Sequence, residues 1–415
     1  MKYSIITFGC RVNQADSMAI ARDLHARGAV ETTPLDAELV VVNSCSVTAA
    51  ADQGVRQTIR RIVRDNPGVH VVVTGCYATR RPEEIGELPN VAHIVSNDEK
   101  DHLVDRLASS LGLLRRDETT AVRYGNGDGP CGDSLSPGTV GRTALTLRVQ
   151  TGCDEMCSYC IIPTTRGKGR SRPLNEVIQQ IENAVASGYR EIAIAGVHLG
   201  SYGRDLNGST SLTTLVGTLA RWDADVLFRI SSLEPMDCTP AIVDMVAASP
   251  RLAPHFHLPL QSGADAVLRA MRRPYTASSF AALVTRIRER IPHASIGSDL
   301  IVGFPGESYA CFDETETLVR DLPLTHLHVF PYSDRPGTDA AALRARVDGA
   351  VIRERGQRIR DIGRQMSTRF RQSQRGTTRR ALTIDDGWSA VTDNYLKVKL
   401  ETRRSRNEWV EVMID

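Results

Sequence analysis

Six cysteines carry the first chemical signal in this 415-residue chain. Cys153, Cys157 and Cys160 stand as C-x3-C-x2-C in TGCDEMCSYCIIP. Three thiolates on one short loop can occupy three corners of a cubane iron–sulfur cluster and leave the fourth iron without a protein ligand. An iron left open in this way is where a substrate can bind. Zinc is the competing occupant. Structural zinc sites, however, prefer closed sets of four ligands built from paired C-x2-C knuckles, and no fourth Cys or His follows nearby.

Cys10, Cys45 and Cys76 lie 35 and 31 residues apart, too far for a local knuckle. Each ends an apolar, strand-like run: SIITFGC, LVVVNSC and VVVTGC. In a parallel sheet the carboxyl ends of the strands share one edge, so cysteines at equivalent strand ends can converge there and hold a second three-thiolate cluster. The competing reading treats a free cysteine as a small buried hydrophobe. It explains one such position easily and three matched positions poorly. Asn13 and Asn43 sit beside these thiols, either as donors to sulfur or in ordinary turn and cap roles. Cys131, Cys238 and Cys311 read as non-ligands.

The elements that must position these thiols follow from periodicity. Residues 4–8, 39–42, 69–73 and 91–95 are apolar strand-like runs separated by longer helical stretches, the pattern of βαβ units on a parallel sheet. Residues 124–141 pack Gly and Pro too densely for regular structure and read as a linker. A second alternation places strands at 145–150, 191–196, 227–232, 255–260, 295–302 and 326–332. Six strands with intervening helices suggest a partial α/β barrel, with an open doubly wound sheet as the competing layout. Short β-like runs at 381–384, 396–400 and 408–414 around Asp385-Asp386-Gly387 form a small all-β module.

Composition sets the outer limits. With 51 Lys+Arg against 49 Asp+Glu, no global attraction to nucleic acid or membrane is expected, so any such signal must be local. One is present: residues 344–380 hold twelve arginines and three acids, Asp348, Glu354 and Asp361. This is either a solvated basic helix face or a surface that meets nucleic-acid phosphates. Arg166, Lys168, Arg170 and Arg172 follow the cysteine loop, either as phosphate contacts or as a solvated loop. No apolar run approaches membrane-spanning length, and the N-terminus has no signal-peptide pattern. A reducing cytoplasm suits nine cysteines used as ligands or buried thiols. His198 is a candidate base, though a lone histidine is weak without geometry.

The loop with Tyr159 in the place of its aromatic residue resembles the radical S-adenosylmethionine superfamily. The resemblance extends to the methylthiotransferase family over nearly the whole chain. It is carried by the six cysteines in their order, CSYCIIPTTRGKGRSRP, GVHLGSYG at 196–203, HLPLQSG at 257–263 and DLIVGFPGE at 299–307. It implies an N-terminal methylthiotransferase domain at 1–123, a linker at 124–141, a radical core built as a partial (β/α)6 barrel at 142–343, an Arg-rich helical connection at 344–377 and a TRAM-like β module at 378–415. It also implies two [4Fe–4S] clusters, a radical one on Cys153, Cys157 and Cys160 and an auxiliary one on Cys10, Cys45 and Cys76. S-adenosylmethionine is implied as both methyl donor and radical source, with Gly196, Gln261, Gly303 and Gly306 lining its pocket. The partners implied are the anticodon loop of tRNA, an electron donor such as a flavodoxin or ferredoxin, and a sulfur source.

GVHLGSYG and TDNYLKV resemble the branch that methylthiolates C2 of N6-threonylcarbamoyladenosine, the base just 3′ of the anticodon at position 37. The isopentenyladenosine branch usually has Gln-Asn where this chain has Val197-His198. The alternatives are methylthiolation of that other nucleoside or of a ribosomal protein and, from a different class, a non-catalytic iron–sulfur carrier or RNA-binding protein.

Overall fold

The computed structural model describes residues 1–108, 110 and 143–415. The linker expected at 124–141 and Cys131 lie outside the described residues. The chain divides into two compact units. The first comprises residues 1–140 with Gly152–Asp154 and Ile161–Lys168. The second holds Gly141–Thr151, Glu155–Cys160 and Gly169–Asp415.

The first unit is built on five parallel strands, β1 (Lys2–Thr7), β2 (Val30–Glu31), β3 (Leu39–Ser44), β4 (His70–Gly75) and β5 (Val91–Val95), in the order β2-β1-β3-β4-β5. A strand covered on both faces reads as a continuous apolar run rather than an alternation, and β3, with sequence LVVVNS, is buried at every position. Val40, Val42, Val71 and Val73 pack against Val55, Ile59 and Ile62 of the helix Ala49–Asp65. Each such side chain contributes about 1.5–3 kcal/mol when fully buried. That helix starts where the Thr48 hydroxyl accepts the Ala51 N–H, one of the donors a helix leaves open at its first turn.

In the second unit six parallel strands follow one another in chain order: β6 (Leu145–Arg148), β9 (Glu191–Ala195), β10 (Leu227–Ile230), β11 (His255–His257), β12 (Ser295–Val302) and β13 (His326–Pro331). The short strands β7 (Gln150–Thr151) and β8 (Arg170–Ser171) pair as a separate antiparallel ribbon. Isolated parallel bridges Phe228↔Leu252 and Ser232↔His257 join the two three-stranded halves. A doubly wound sheet would reverse strand order at a switch point. These strands never reverse, so the layout is the partial barrel. β11 ends at His257, short of the expected residue 260, because Pro259 has no N–H to give the ladder.

The helix Gly349–Gln374 buries Ile359, Ile362, Met366 and Phe370 along one face. It leads into a four-stranded antiparallel sheet of β14 (Thr378–Ile384), β15 (Ser389–Thr392), β16 (Lys397–Lys399) and β17 (Trp409–Met413), in the order β16-β15-β14-β17. Asp385 and Gly387 take positive φ in the turn between β14 and β15. The all-β module expected at the end of the chain is present. Among the described residues no helix is long and apolar enough to cross a membrane.

Candidate functional site

In the first unit Cys10, Cys45 and Cys76 follow β1, β3 and β4, three neighbouring strands of one parallel sheet. The strand ends stay in register, with Thr7 beside Asn43 and Asn43 beside Thr74. The thiols therefore emerge at one edge, and Cys45 lies within electrostatic reach of both Cys10 and Cys76. Two glycines make this packing possible. Gly9 has φ +89°, and a Cβ there would lie 2.7 Å from the Cys45 sulfur. Gly75 has φ +96°, and its Cβ would meet the Ser44 carbonyl oxygen at 2.2 Å.

Cys10 is exposed, whereas Cys45 and Cys76 are buried. Burial pushes the Cys45 thiol up to about 12, and the neighbouring Cys76 and Cys10 add to the effect. As a free thiol it stays protonated at neutral pH. An iron core is the kind of cation that displaces such a proton, so three soft donors converging on a glycine-lined edge fit an iron–sulfur cluster. Burial also pushes Cys76 up, but the Arg166 guanidinium and Lys100 ammonium outweigh it and hold Cys76 below its ordinary value.

Those two cations belong to a buried network that sequence reasoning missed. Lys100 Nζ donates to Asp16 Oδ2 at 3.1 Å and to Asn43 Oδ1 at 3.0 Å. Arg166 donates to Asn13 Oδ1 at 2.5 Å and to Asp16 Oδ2 at 3.1 Å. Asn13 in turn donates to the carbonyls of Phe8 and Ser44 at 2.7 and 3.0 Å. Asn13 and Asn43 thus bind the loops that carry the thiols, while Asn97 Nδ2 lies 3.6 Å from the Cys76 sulfur.

Arg166 requires a correction: expected on an exposed loop, whether phosphate-facing or solvated, it is only 2% exposed. It ends the short helix Ile162–Arg166, which packs on the helix Cys76–Arg80, because Asp16 and the thiols repay its burial. The one legible signal was Asp16, a carboxylate on the apolar face of the helix Arg11–His25. Removing one partner of a buried ion pair costs about 3–5 kcal/mol. We therefore expect Asp16→Ala, which takes the shared carboxylate from two buried cations, to lose at least about 3 kcal/mol in urea denaturation. A loss below about 1 kcal/mol would show that the pairs are solvated like surface ones.

Also in the first unit, the Cys153 N–H donates to the Gly167 carbonyl at 3.1 Å. Gly152 has φ +72° and lies against Lys168, where a Cβ would come 1.9 Å from the Lys168 carbonyl oxygen.

In the second unit Cys157 and Cys160 share a turn closed by a 3.1 Å bond from Cys160 N–H to the Cys157 carbonyl. Ser158 fixes it, donating through N–H to Met271 O at 3.1 Å and through its hydroxyl to Ala270 O at 2.7 Å. The Tyr159 ring packs on Ala264, Val267, Met271, Phe304 and Ala340. The sequence also did not single out Arg273, which donates to the Cys157 sulfur at 2.9 Å. Arg273 forms an ion pair with Glu234 and donates to Tyr275 Oη at 3.0 Å. A guanidinium donor on a cysteine sulfur stabilises the thiolate that a metal needs.

The residues expected to line the S-adenosylmethionine pocket lie past the carboxyl ends of barrel strands, where ligands of such barrels bind. Gly196 follows β9 against Leu199 and Gln150. Gln261 has φ +66° and pairs with β12, its N–H on Asp299 O at 2.9 Å. Gly306 has φ +89° with open space at its Cβ position. Gly303 follows β12 with φ +77°. Its missing side chain makes room for Ile352, which a Cβ would approach to 2.3 Å, and its N–H donates to Glu307 Oε2 at 2.8 Å. Lys168 and Arg170 are exposed, and Arg172 is half-buried. His198 is a buried histidine held by Asp237 at 2.9 Å. Cys238 is buried, and Cys311 lies in the helix Tyr309–Asp321.

A partial parallel barrel with a three-cysteine loop at its start is the architecture of the radical S-adenosylmethionine superfamily, and residues 147–319 match that superfamily. Residues 2–96 match the group described as uncharacterized protein family UPF0004. The threonylcarbamoyladenosine tRNA methylthiotransferase MtaB of Aquifex aeolicus is 33% identical over 100% of both chains. The protein of the same name from Thermotoga maritima is 35% identical over 91% of this chain and 85% of its own. A tRNA-2-methylthio-N(6)-dimethylallyladenosine synthase of Parafrankia sp. is 33% identical over 88% of this chain and 74% of its own. The chain belongs to the radical S-adenosylmethionine tRNA methylthiotransferase family. With that membership comes the cofactor set expected of the sequence, S-adenosylmethionine and [4Fe–4S] clusters. The structure of the radical S-adenosylmethionine methyltransferase TsrM from Kitasatospora setae aligns with TM-score 0.56 at 15% identity, over 82% of this chain and 76% of that one. That likeness is one of fold.

Proposed function

We propose that this enzyme methylthiolates C2 of N6-threonylcarbamoyladenosine at position 37 of tRNA. The observation that carries the reading is the convergence of Cys10, Cys45 and Cys76 at three adjacent strand ends of a unit separate from the barrel. It supplies a second set of thiolates that radical chemistry alone does not need. Two full-length or near full-length relatives named for threonylcarbamoyladenosine support the choice of nucleoside, as does Val197-His198. Dimethylallyladenosine is the second reading, favoured by the relative of that name at the same identity. The division of labour follows the sequence: residues 1–123 hold the auxiliary cluster, 142–343 the radical core, and 344–377 with 378–415 meet RNA in the cytoplasm.

A C2–H of adenine has no acidic proton and no leaving group, so acid/base chemistry has little purchase on it. When bound, the cluster on Cys153, Cys157 and Cys160 with S-adenosylmethionine supplies a carbon-centred radical, and the cluster on Cys10, Cys45 and Cys76 supplies methylated sulfur. The chain's own residues position these groups. Ser158 and Tyr159 fix the loop, Arg273 donates to the Cys157 sulfur, Gly306 leaves open space at the barrel rim, and Gly196, Gln261 and Gly303 are assigned with it to the S-adenosylmethionine pocket. Lys100 and Arg166 supply positive charge beside Cys76. An electron donor of the flavodoxin or ferredoxin type and a sulfur source complete the cycle. The test is which nucleoside of tRNA gains the methylthio group.

Contact with RNA falls to one stripe of the helix Gly349–Gln374. Arg353, Arg360, Arg364 and Arg371 are exposed and recur at steps of seven, four and seven, within about 40° of one line at roughly 100° per residue. Arg355 and Arg358 point elsewhere, paired with Glu307 and Glu316. Changing the four stripe arginines to Gln should weaken tRNA binding and flatten its dependence on log salt by about one unit per lost phosphate contact. An unchanged slope would make the stripe a solvated face. Lys168, Arg170 and Arg172 are assigned the same role beside the cysteine loop.

A further inference from the structure

Two of the motifs that mark this chain begin on residues that neither cluster uses: His257 opens HLPLQSG and Asp299 opens DLIVGFPGE. The strand register brings them together. On the β11-β12-β13 sheet His257 and His326 flank Gly297, and Asp299, two residues further along β12, sits beside His328. Residues two apart on a strand share a face, so three imidazoles and a carboxylate face the same way. Asp299 Oδ1 lies 2.9 Å from His257 Nε2 and 3.2 Å from His328 Nδ1. One ligand atom from each of His257, Asp299 and His328 falls within 4.8 Å of the others.

We propose that His257, Asp299 and His328 bind one divalent transition-metal cation. Two imidazoles and one carboxylate are the donor set of facial metal sites that keep further coordination positions open. Three adjacent strands supply one donor each, which fixes them more rigidly than a loop would. The site is accessible, since the His328 side chain is 55% exposed and that of Asp299 25%. Gly297 accounts for the fourth imidazole: a Cβ there would come 2.0 Å from His326 Nε2. A glycine inside a strand weakens it and marks a place where another group approaches the backbone. Here that group is the His326 ring, whose centroid lies 5.5 Å from that of His328 and 6.2 Å from that of His257. Thr325 Oγ1 lies 3.0 Å from its Nδ1, so His326 stands beside the trio without belonging to it. The remaining positions on the cation are left for water or for an oxygen or nitrogen ligand.

The probe is zinc. Cluster-loaded protein is dialysed anaerobically against Zn2+, passed through a desalting column, and its zinc and iron are counted by mass spectrometry. The wild type is expected to retain about one zinc per chain more than Asp299→Asn or His328→Gln, with equal iron in all three. Equal zinc in the three proteins, or none in the wild type, overturns the proposal. Zinc K-edge absorption of the wild type gives a second reading that needs no variant. The proposal expects nitrogen and oxygen neighbours at about 2.0–2.1 Å, and a dominant sulfur shell at about 2.3 Å would place the zinc on cysteines and overturn it.

Discussion

Cys157→Ala protein, purified and reconstituted anaerobically, is expected to release no 5′-deoxyadenosine from S-adenosylmethionine. Two thiolates cannot hold a cubane with its one open iron, so the loss should exceed the roughly 10–100-fold that changes outside the ligand set cost. The fold should survive the change. Ser158 keeps its bonds to Ala270 and Met271, and Tyr159 stays packed on Val267 and Phe304. Arg273 loses its sulfur acceptor but keeps Glu234 and Tyr275, so no buried cation is stranded. Reduced iron content with unchanged melting would place the defect in ligation. Normal release of 5′-deoxyadenosine would sink the assignment of Cys157 as a ligand.

The auxiliary site separates the two chemistries. Cys45→Ala should contain about half the wild-type iron, still release 5′-deoxyadenosine, and leave methylthiolated product undetectable. Cys45 sits at the end of β3, in the unit that does not contain Cys157 and Cys160, so the substitution removes no ligand of the radical cluster. Trimming one buried atom costs on the order of 1 kcal/mol, too little to unfold the sheet around Val40, Val42, Val71 and Val73. Full iron content with intact product would show that Cys45 is a buried thiol at a strand end, and the second cluster would fall with it.

Much of this arrangement was legible because it is local. SIITFGC, LVVVNSC and VVVTGC each carry both a strand and the cysteine that follows it, so the apolar runs alone put all three thiols at strand ends. Six barrel strands were visible for the same reason. What escaped notice depends on partners distant in sequence. Lys100 lies in the polar run NDEKDH and looks like surface, yet it is 2% exposed because Asp16 receives it. Arg166 was misplaced by the same blindness, since a basic residue in a basic run gives no sign that a carboxylate more than a hundred positions earlier awaits it. β2 has two residues, too few for any period to show, and β15 hides in SAVT after a turn. The packing of Gly303 against Ile352 is likewise a contact between residues about fifty positions apart, which no local pattern shows.

The choice of nucleoside is the central claim, and one competition measures it. Reconstituted enzyme, S-adenosylmethionine, sulfide and a reductant are incubated anaerobically with equal amounts of two unmethylthiolated tRNAs, one carrying N6-threonylcarbamoyladenosine and the other N6-dimethylallyladenosine at position 37, and the digested nucleosides are read by mass spectrometry. The expected result is 2-methylthio-N6-threonylcarbamoyladenosine, with the dimethylallyl nucleoside left unchanged. The methylthio group on the dimethylallyl nucleoside, with threonylcarbamoyladenosine untouched, would contradict the account.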